Sequence, residues 1–189
     1  MKVPFNTGTL LYPLPVVMVS CGNISGKYNI ITVAWTGTIN SNPPMCYISV
    51  RKERFSHKLI SDTREFVINL TTEDLAFATD WCGVKSGRDV DKFREMKLTP
   101  VPAQVVKAPL IAESPLSIEC RVTEVKELGS HDMFIADVVN VKADDKYLNS
   151  TGKWDLSASD PLVYLHGGYY GLGKKIGKFG WSVEKNKKK

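Results

Sequence analysis

Short strand-like runs rich in apolar and β-branched residues, separated by turn-forming residues, dominate this chain and predict strands. They cover residues 16–20, 30–36, 45–51, 66–70, 117–126, 134–142 and 162–165. Turn signals at 22–26, 40–44 and 128–132 fit hairpin or meander connections. Pro43 and Pro44 cannot donate a ladder hydrogen bond and so mark a strand entry. Helical stretches are short. One opens at Phe55 or Ser56 and runs to Asp62, one is capped by Thr72 and reaches Trp81, and one covers 88–96. Strands and helices do not alternate as a doubly wound parallel sheet requires. The pattern predicts a mainly β fold with short helices, an antiparallel and partly open Greek-key barrel. A single domain is expected over 1–180, followed by a basic tail, 181–189. Pro100, Pro102, Pro109 and Pro115 make 99–115 a stiff, irregular connection, expected to border the site or a subunit contact.

The candidate chemistry lies between Asn29 and Lys58, NIITVAWTGTINSNPPMCYISVRKERFSHK. Read alternately, Ile31, Val33 and Trp35 point one way, and Ile30, Thr32, Ala34 and Thr36 the other. Three of the latter four are small, which leaves room for a flat group on that face. Such a face serves the packing of a small barrel equally well. The next strand brings Ser49 and Arg51 beside Lys52, Arg54, Ser56 and His57 at a helix start. A guanidinium fork, hydroxyls and the free N–H groups of a helix N-terminus together make an anion site. Lys52 and Arg54 are equally what a solvated charged turn contains. A flat site joined to an anion site is what flavin mononucleotide (FMN) needs.

The same residues carry a resemblance. The blocks NIITVAWTGTINSNPPM, YISVRKERFSHKLI, DWCGVKSGRDVDKF, GSHDMFIADV and PLVYLHGGYYGLGKKIG resemble the flavin reductase-like, FMN-binding split-barrel family, most closely its flavoredoxin branch. They come in the family's order and extend over nearly the whole chain. The resemblance implies a split barrel that binds FMN, takes electrons from NADH or NADPH, and passes them to flavin, ferric iron or a redox protein. It also implies a homodimer with FMN near the subunit interface.

By the same resemblance, Asn29, Thr32, Val33, Ala34, Trp35 and Thr36 meet the ring, chiefly through their backbone, with Trp35 mostly packing. Ser49, Val50, Arg51, Ser56 and His57 form the phosphate segment, and either Arg88 or Lys92 reaches the phosphate. Tyr169 neighbours the ring. His131 lines the site without being an obligatory acid or base, since hydride transfer needs alignment more than proton movement. The glycine-rich 166–173 reads as a turn. It is no dinucleotide fingerprint, because Gly171, Gly173 and Gly177 are spaced GxGxxxG and follow the last strand. That leaves a second reading, an FMN-binding carrier or redox sensor that does not itself oxidise a nicotinamide.

Composition narrows the classes. The chain's 189 residues are enough for a proper core, and 43% hydrophobic with 24% charged residues is globular. No apolar run reaches the roughly 18 residues of a membrane span. The N-terminus has no secretory pattern, so no membrane association and a cytoplasmic location are expected. The net charge of +5 owes much to Lys185, Lys187, Lys188 and Lys189. Without a basic stripe interleaved with aromatics, no nucleic acid is expected as partner, and an oligonucleotide-binding barrel is the weakest reading. Positive charge also suits anionic cofactors. Cys21, Cys46, Cys82 and Cys120 lack CxxC spacing, and His57, His131 and His166 lack metal-ligand spacing. Reduced thiols and no metal are expected, with Cys82 a buried structural cysteine.

Overall fold

The computed structural model describes residues 1–23 and 25–184. In chain order it contains β1 (Leu14–Pro15), β2 (Val17–Cys21), β3 (Asn29–Val33), β4 (Thr36–Ser41), β5 (Pro44–Arg51), α1 (Phe55–Thr63) and β6 (Glu65–Leu70). There follow α2 (Ala76–Val84), α3 (Lys92–Glu95), β7 (Pro100–Val101), β8 (Leu110–Ile111), β9 (Leu116–Glu127), β10 (His131–Ala143), β11 (Leu162–Leu165) and β12 (Gly168–Gly171). Seven strands form one antiparallel sheet in the order β3-β2-β6-β9-β10-β5-β4. The chain passes from β5 to β6 through α1, and the long β9–β10 hairpin later fills the gap between them. Register shifts at Ile135/Ala136 and Val138/Asn140 on β10, and at Thr38/Asn40 on β4, bend these strands as bulges do. The sheet curls into a half-barrel, the mainly β, split architecture that the pattern predicts.

Inside the curl, alternate positions of the strands make the core. Val17 and Val19 of β2, Ile31 and Val33 of β3, Ile48 and Val50 of β5, and Phe66 and Phe134 meet Ile60 of α1 there. On the other face of β2 and β3, Met18 and Ile30 pack against Leu75, Cys82 and Phe93. This second layer corrects one expectation. α2 covers part of the small face of β3, since Thr32 Oγ1 donates to Thr79 O at 2.5 Å and Gly83 lies against its side chain, and Thr32 is left half-buried.

Four element boundaries also differ. The expected strand over 30–36 breaks at Ala34–Trp35, where the chain leaves one sheet edge for the other; alternation fits both halves and so hides the break. The expected helix from Thr72 begins with a 3-10 turn, Glu73–Leu75, while Thr72 bridges to Pro161. The expected helix over 88–96 shrinks to α3, because Asp91 is its cap and accepts from Arg94 N. Gly168–Gly171 is strand β12, not turn. The turn proper is His166–Gly167, both at positive φ (48° and 82°), the pairing of a two-residue hairpin whose twist suits its strands. Of the basic tail, Trp181–Val183 form a 3-10 turn and 185–189 lie outside the described residues.

The proline-rich connection owes its course to one acid. Glu119 is fully buried, and its carboxylate accepts from Gln104 N (3.0 Å), Val105 N (2.6 Å), Val106 N (3.1 Å) and Asn140 Nδ2 (2.7 Å). Burial alone raises its pKa. The carboxamide and the three amides outweigh that and hold it below the ordinary 4.5. Replacing Glu119 by Ala strands those donors and lowers unfolding free energy by about 2–4 kcal/mol in urea melts. Because the folded pKa is depressed, the acid's stabilisation is complete above the unfolded value, about 4.3, and drains as pH falls through the folded one. The variant lacks that part of the acid slope.

Candidate functional site

The two edges of the curled sheet return to each other at the Ala34–Trp35 crossing, where Ser49 N donates to Trp35 O at 2.9 Å. A cleft follows this seam. At one end is a cavity of about 480 Å³ between β3, the end of β5, the start of α1 and residues 85–88. Arg51, Arg54, Lys85, Arg88 and Lys92 line it against one carboxylate, Glu53. The exposed Arg51–Glu53 pair, 3.6 Å apart, does little to cancel that excess. Arg54 Nη2 donates to Gly83 O at 2.8 Å and Arg88 Nη2 to Glu53 O at 3.1 Å, so both guanidinium groups are braced by backbone. Arg54 is also the N-cap of α1, with no side-chain cap and no acid in the first turn. The first N–H groups of that nine-residue helix therefore lack intrahelical acceptors and add positive potential to the cavity.

Asn29 and Ser56 form the cavity's buried polar wall. Asn29 Nδ2 donates to Ser56 Oγ at 2.7 Å, while Asn29 Oδ1 is buried without a partner. A Cβ on Gly87 would overlap that carboxamide, so the loop's close approach needs glycine. Lys92, 3% exposed, donates from Nζ to Ile30 O at 2.7 Å and Cys82 O at 2.6 Å.

Beyond Ile31, Arg51 and Arg54, which both spaces share, the cleft continues as a cavity of about 330 Å³. Thr32, Val33, Ala34 and Trp35 wall one side, Ser49 and Val50 another, and His131 and Tyr164 complete the lining. His131 opens β10 opposite Arg51, and its ring centroid is 4.5 Å from that of Trp35. Burial, and then Arg51, push its pKa below the ordinary 6.5, so the imidazole is neutral at pH 7. An annex of about 230 Å³ adjoins through Thr32, Ala34 and Tyr164. There Tyr169 Oη donates to Asp80 Oδ1 at 3.0 Å, and burial followed by the Asp80 carboxylate pushes its pKa up to about 12.

Most of the residues singled out from the sequence thus fall on one continuous cleft: Asn29, Arg51, Ser56, Arg88 and Lys92 at the cationic end, Thr32 to Trp35, Ser49, Val50 and His131 along the seam, Tyr169 in the annex. Two fall elsewhere. His57 Nε2 pairs with the buried Asp132 Oδ2 at 2.8 Å and meets Phe134 edge-on, bracing α1 against β10. Thr36 donates to Tyr47 O at 2.6 Å in the β4–β5 ladder. The 99–115 connection lines none of these cavities; it packs over β6 through Val106 and Ala108. Sequence reasoning leaves Arg54 between the anion cluster and a solvated turn, and it passes over Lys85 and Ser86. The signal for Arg54 was its place immediately before the helix start, and for the others the KSGR stretch.

An antiparallel half-barrel with a cation-rich cleft along its seam defines the class, a split barrel. The chain belongs to the family of the flavin reductase like domain, which matches residues 9–173. An uncharacterised protein of Archaeoglobus fulgidus is 30% identical over 147 residues, 78% of this chain and 81% of its own length. Among solved structures, flavoredoxin of Desulfovibrio vulgaris (Miyazaki F) is 31% identical, with a TM-score of 0.90 over 97% of this chain and 100% of its own. Flavoredoxin from Methanosarcina acetivorans is 29% identical, with a TM-score of 0.86 over the same shares. The fold alone is shared with an FMN-binding protein from Thermus thermophilus, 23% identical, TM-score 0.80, over 94% of this chain and 99% of that one.

The wall formed by Asn29, Ser56 and Gly87 makes a direct test. Gly87→Ala pushes a methyl into the Asn29 carboxamide and breaks its bond to Ser56. The expected loss is about 1–3 kcal/mol of stability, read as a lowered urea midpoint. An unchanged midpoint would contradict this close approach.

Proposed function

We propose that this protein binds FMN along the seam and transfers electrons from NADH or NADPH to flavin, ferric iron or a redox protein. One observation carries the reading: a flat groove between sheet edges runs into a cavity lined by five cations at a helix N-terminus. Both spaces are of the size that ligand clefts have, roughly 300–1,000 Å³. The residues present fit the cofactor. Arg51, Arg54, Arg88, Lys92, Ser56 and the first amides of α1 suit a phosphate. The unpartnered Asn29 Oδ1 is an acceptor for a sugar-alcohol hydroxyl. Trp35, His131 and Tyr164 offer flat walls to a ring.

Bound flavin would supply hydride acceptance and release of electrons singly or in pairs. The chain's own part is to orient the ring and to leave one face of it approachable. Neutral His131 can hydrogen-bond a nicotinamide amide without placing a second charge beside Arg51.

The protein is further proposed to work as a cytoplasmic homodimer. Among the described residues no helix is long and apolar enough to cross a membrane. Phe5 (81%), Leu11 (83%), Ile176 (90%) and Phe179 (107%) leave apolar surface at both ends of the described chain that a second copy would cover. Sedimentation should give twice the mass of 21.0 kDa.

The test is a flavin titration followed by anaerobic NADH and NADPH. FMN is expected to bind at least about a hundredfold more tightly than riboflavin, as several charge-assisted hydrogen bonds to phosphate would give. Arg54→Ala should weaken FMN about tenfold or more and leave riboflavin unchanged. Bleaching by a nicotinamide supports the reductase; a flavin band that persists makes the protein a carrier served by another donor. Failure to bind either flavin would remove the proposal.

A further inference from the structure

Lys92 is a buried cation without a counter-ion. It is among the residues lining the cationic cavity, and no ion pair among the described residues includes it. Two of its three N–H donors are used, on Ile30 O of edge strand β3 and on Cys82 O of α2. A neutral amine has two N–H groups, enough for those same carbonyls. Both protonation states can therefore satisfy the two carbonyls, and the third hydrogen of the charged form remains for an anion in the cavity.

We propose that Lys92 is a proton-coupled lock on the phosphate end of the ligand: a bound phosphoryl group draws a proton onto Nζ, and loss of that proton loosens the ligand. The lock takes from the flavin reading only the identity of the phosphate carrier. Burial, the largest influence, lowers the pKa of free Lys92 from 10.5 to about 8. Cys82 of α2 and Cys21 of β2 face it, their thiols pushed by burial to about 11 and about 12 and so neutral in this range. Arg54 at the start of α1 opposes its charge. Across the cavity stand Arg51, Lys85 and Arg88 with Glu53; on its own element are Asp91, the cap, with Arg94 and Glu95. The one carboxylate lining the cavity, Glu53, pairs with Arg51, and no carboxylate among the described residues forms an ion pair with Lys92. Protonation favours the anion, so affinity is full below about pH 8 and falls as pH rises through that value.

The experiment is calorimetric titration of the unliganded protein with FMN at pH 8, in two buffers of different ionisation heat, with affinities at pH 7 and 9. A phosphate monoester is already dianionic at pH 8, its second pKa being about 6. The expected results are uptake of about half a proton per FMN at pH 8 and a Kd about tenfold higher at pH 9 than at pH 7. Riboflavin, which shares the ring but has no phosphate, should take up no proton. Lys92→Met should bind FMN about tenfold or more weakly at pH 7, with no proton uptake and a flat pH profile. A purely structural lysine would leave wild-type uptake at zero, and that result overturns the proposal without recourse to any variant. Should FMN not bind at any pH, the flavin reading falls, and the same titration with inorganic phosphate decides the matter for Lys92. Net uptake of about a third of a proton per phosphate, the half taken up by Lys92 less what inorganic phosphate itself releases at pH 8, then upholds the lock, and no uptake overturns it.

Discussion

A curled sheet that stops short of closure has two exposed edges, and most of what is distinctive here follows from how β3 is covered. Edge carbonyls and amides left bare would pair with another chain or stay unsatisfied. Thr32 Oγ1 reaches Thr79 O, fastening α2 beside the edge, and Lys92 Nζ takes Ile30 O, tying in α3. Arg54 extends the cover by holding Gly83 O at the last turn of α2. Those ties fix where residues 85–88 can run, and the loop then forms the far wall of the cationic cavity. Protection of the edge and construction of the cleft are the same set of bonds.

Two buried charges show how a structural ion differs from one kept for a ligand. Glu119 has its hydrogen-bonding capacity met by three amides and a carboxamide from its own chain, and it serves only to pin the proline-rich connection. Lys92 has two acceptors for three donors and no carboxylate. Asn29 repeats the pattern nearby, with one end of its carboxamide satisfied and the other not. A fold that can saturate one buried charge so fully has left these two groups incomplete at the same cavity. Cations in excess and a spare lysine donor at one cavity suit an anion, and the spare Asn29 acceptor beside them suits a hydroxyl carried by the same ligand.

Strand β5 and the first halves of β9 and β10 were legible because one face is buried, which forces the period of two, whereas β2 and β6 are buried on both faces and show as short apolar runs. The same period concealed the break at Ala34–Trp35, since the residues on either side keep alternating while the chain changes sheet edge. Glycine content disguised β12: Gly168 and Gly171 read as turn, although His166–Gly167 alone take the positive φ values. His57 and Arg54 show the limit for sites. One helix start presents both, and only tertiary packing turns His57 inward to Asp132 and Arg54 outward to the cavity. By propensity alone Lys92 reads as a surface lysine; only the family resemblance makes it a phosphate candidate, and its burial shows only once β3 and α2 are placed around it.

The two ends of the cleft are built for different work. At the cationic end, groups change or lend charge: guanidinium groups, helix amides and a lysine whose proton is loosely held. At the Trp35 end the titratable groups are settled near neutral pH, with His131 neutral and Tyr169 protonated against Asp80. That arrangement offers little to a reaction that must move protons through side chains. It suits one that needs a flat partner held still, in which the rate depends on alignment. In the proposed function affinity resides where the cations are concentrated and the reacting ring lies beside Trp35 and His131, with Arg51 and Arg54 bordering both spaces. The short stretch of β3 from Asn29 to Val33, which borders both, couples the two ends.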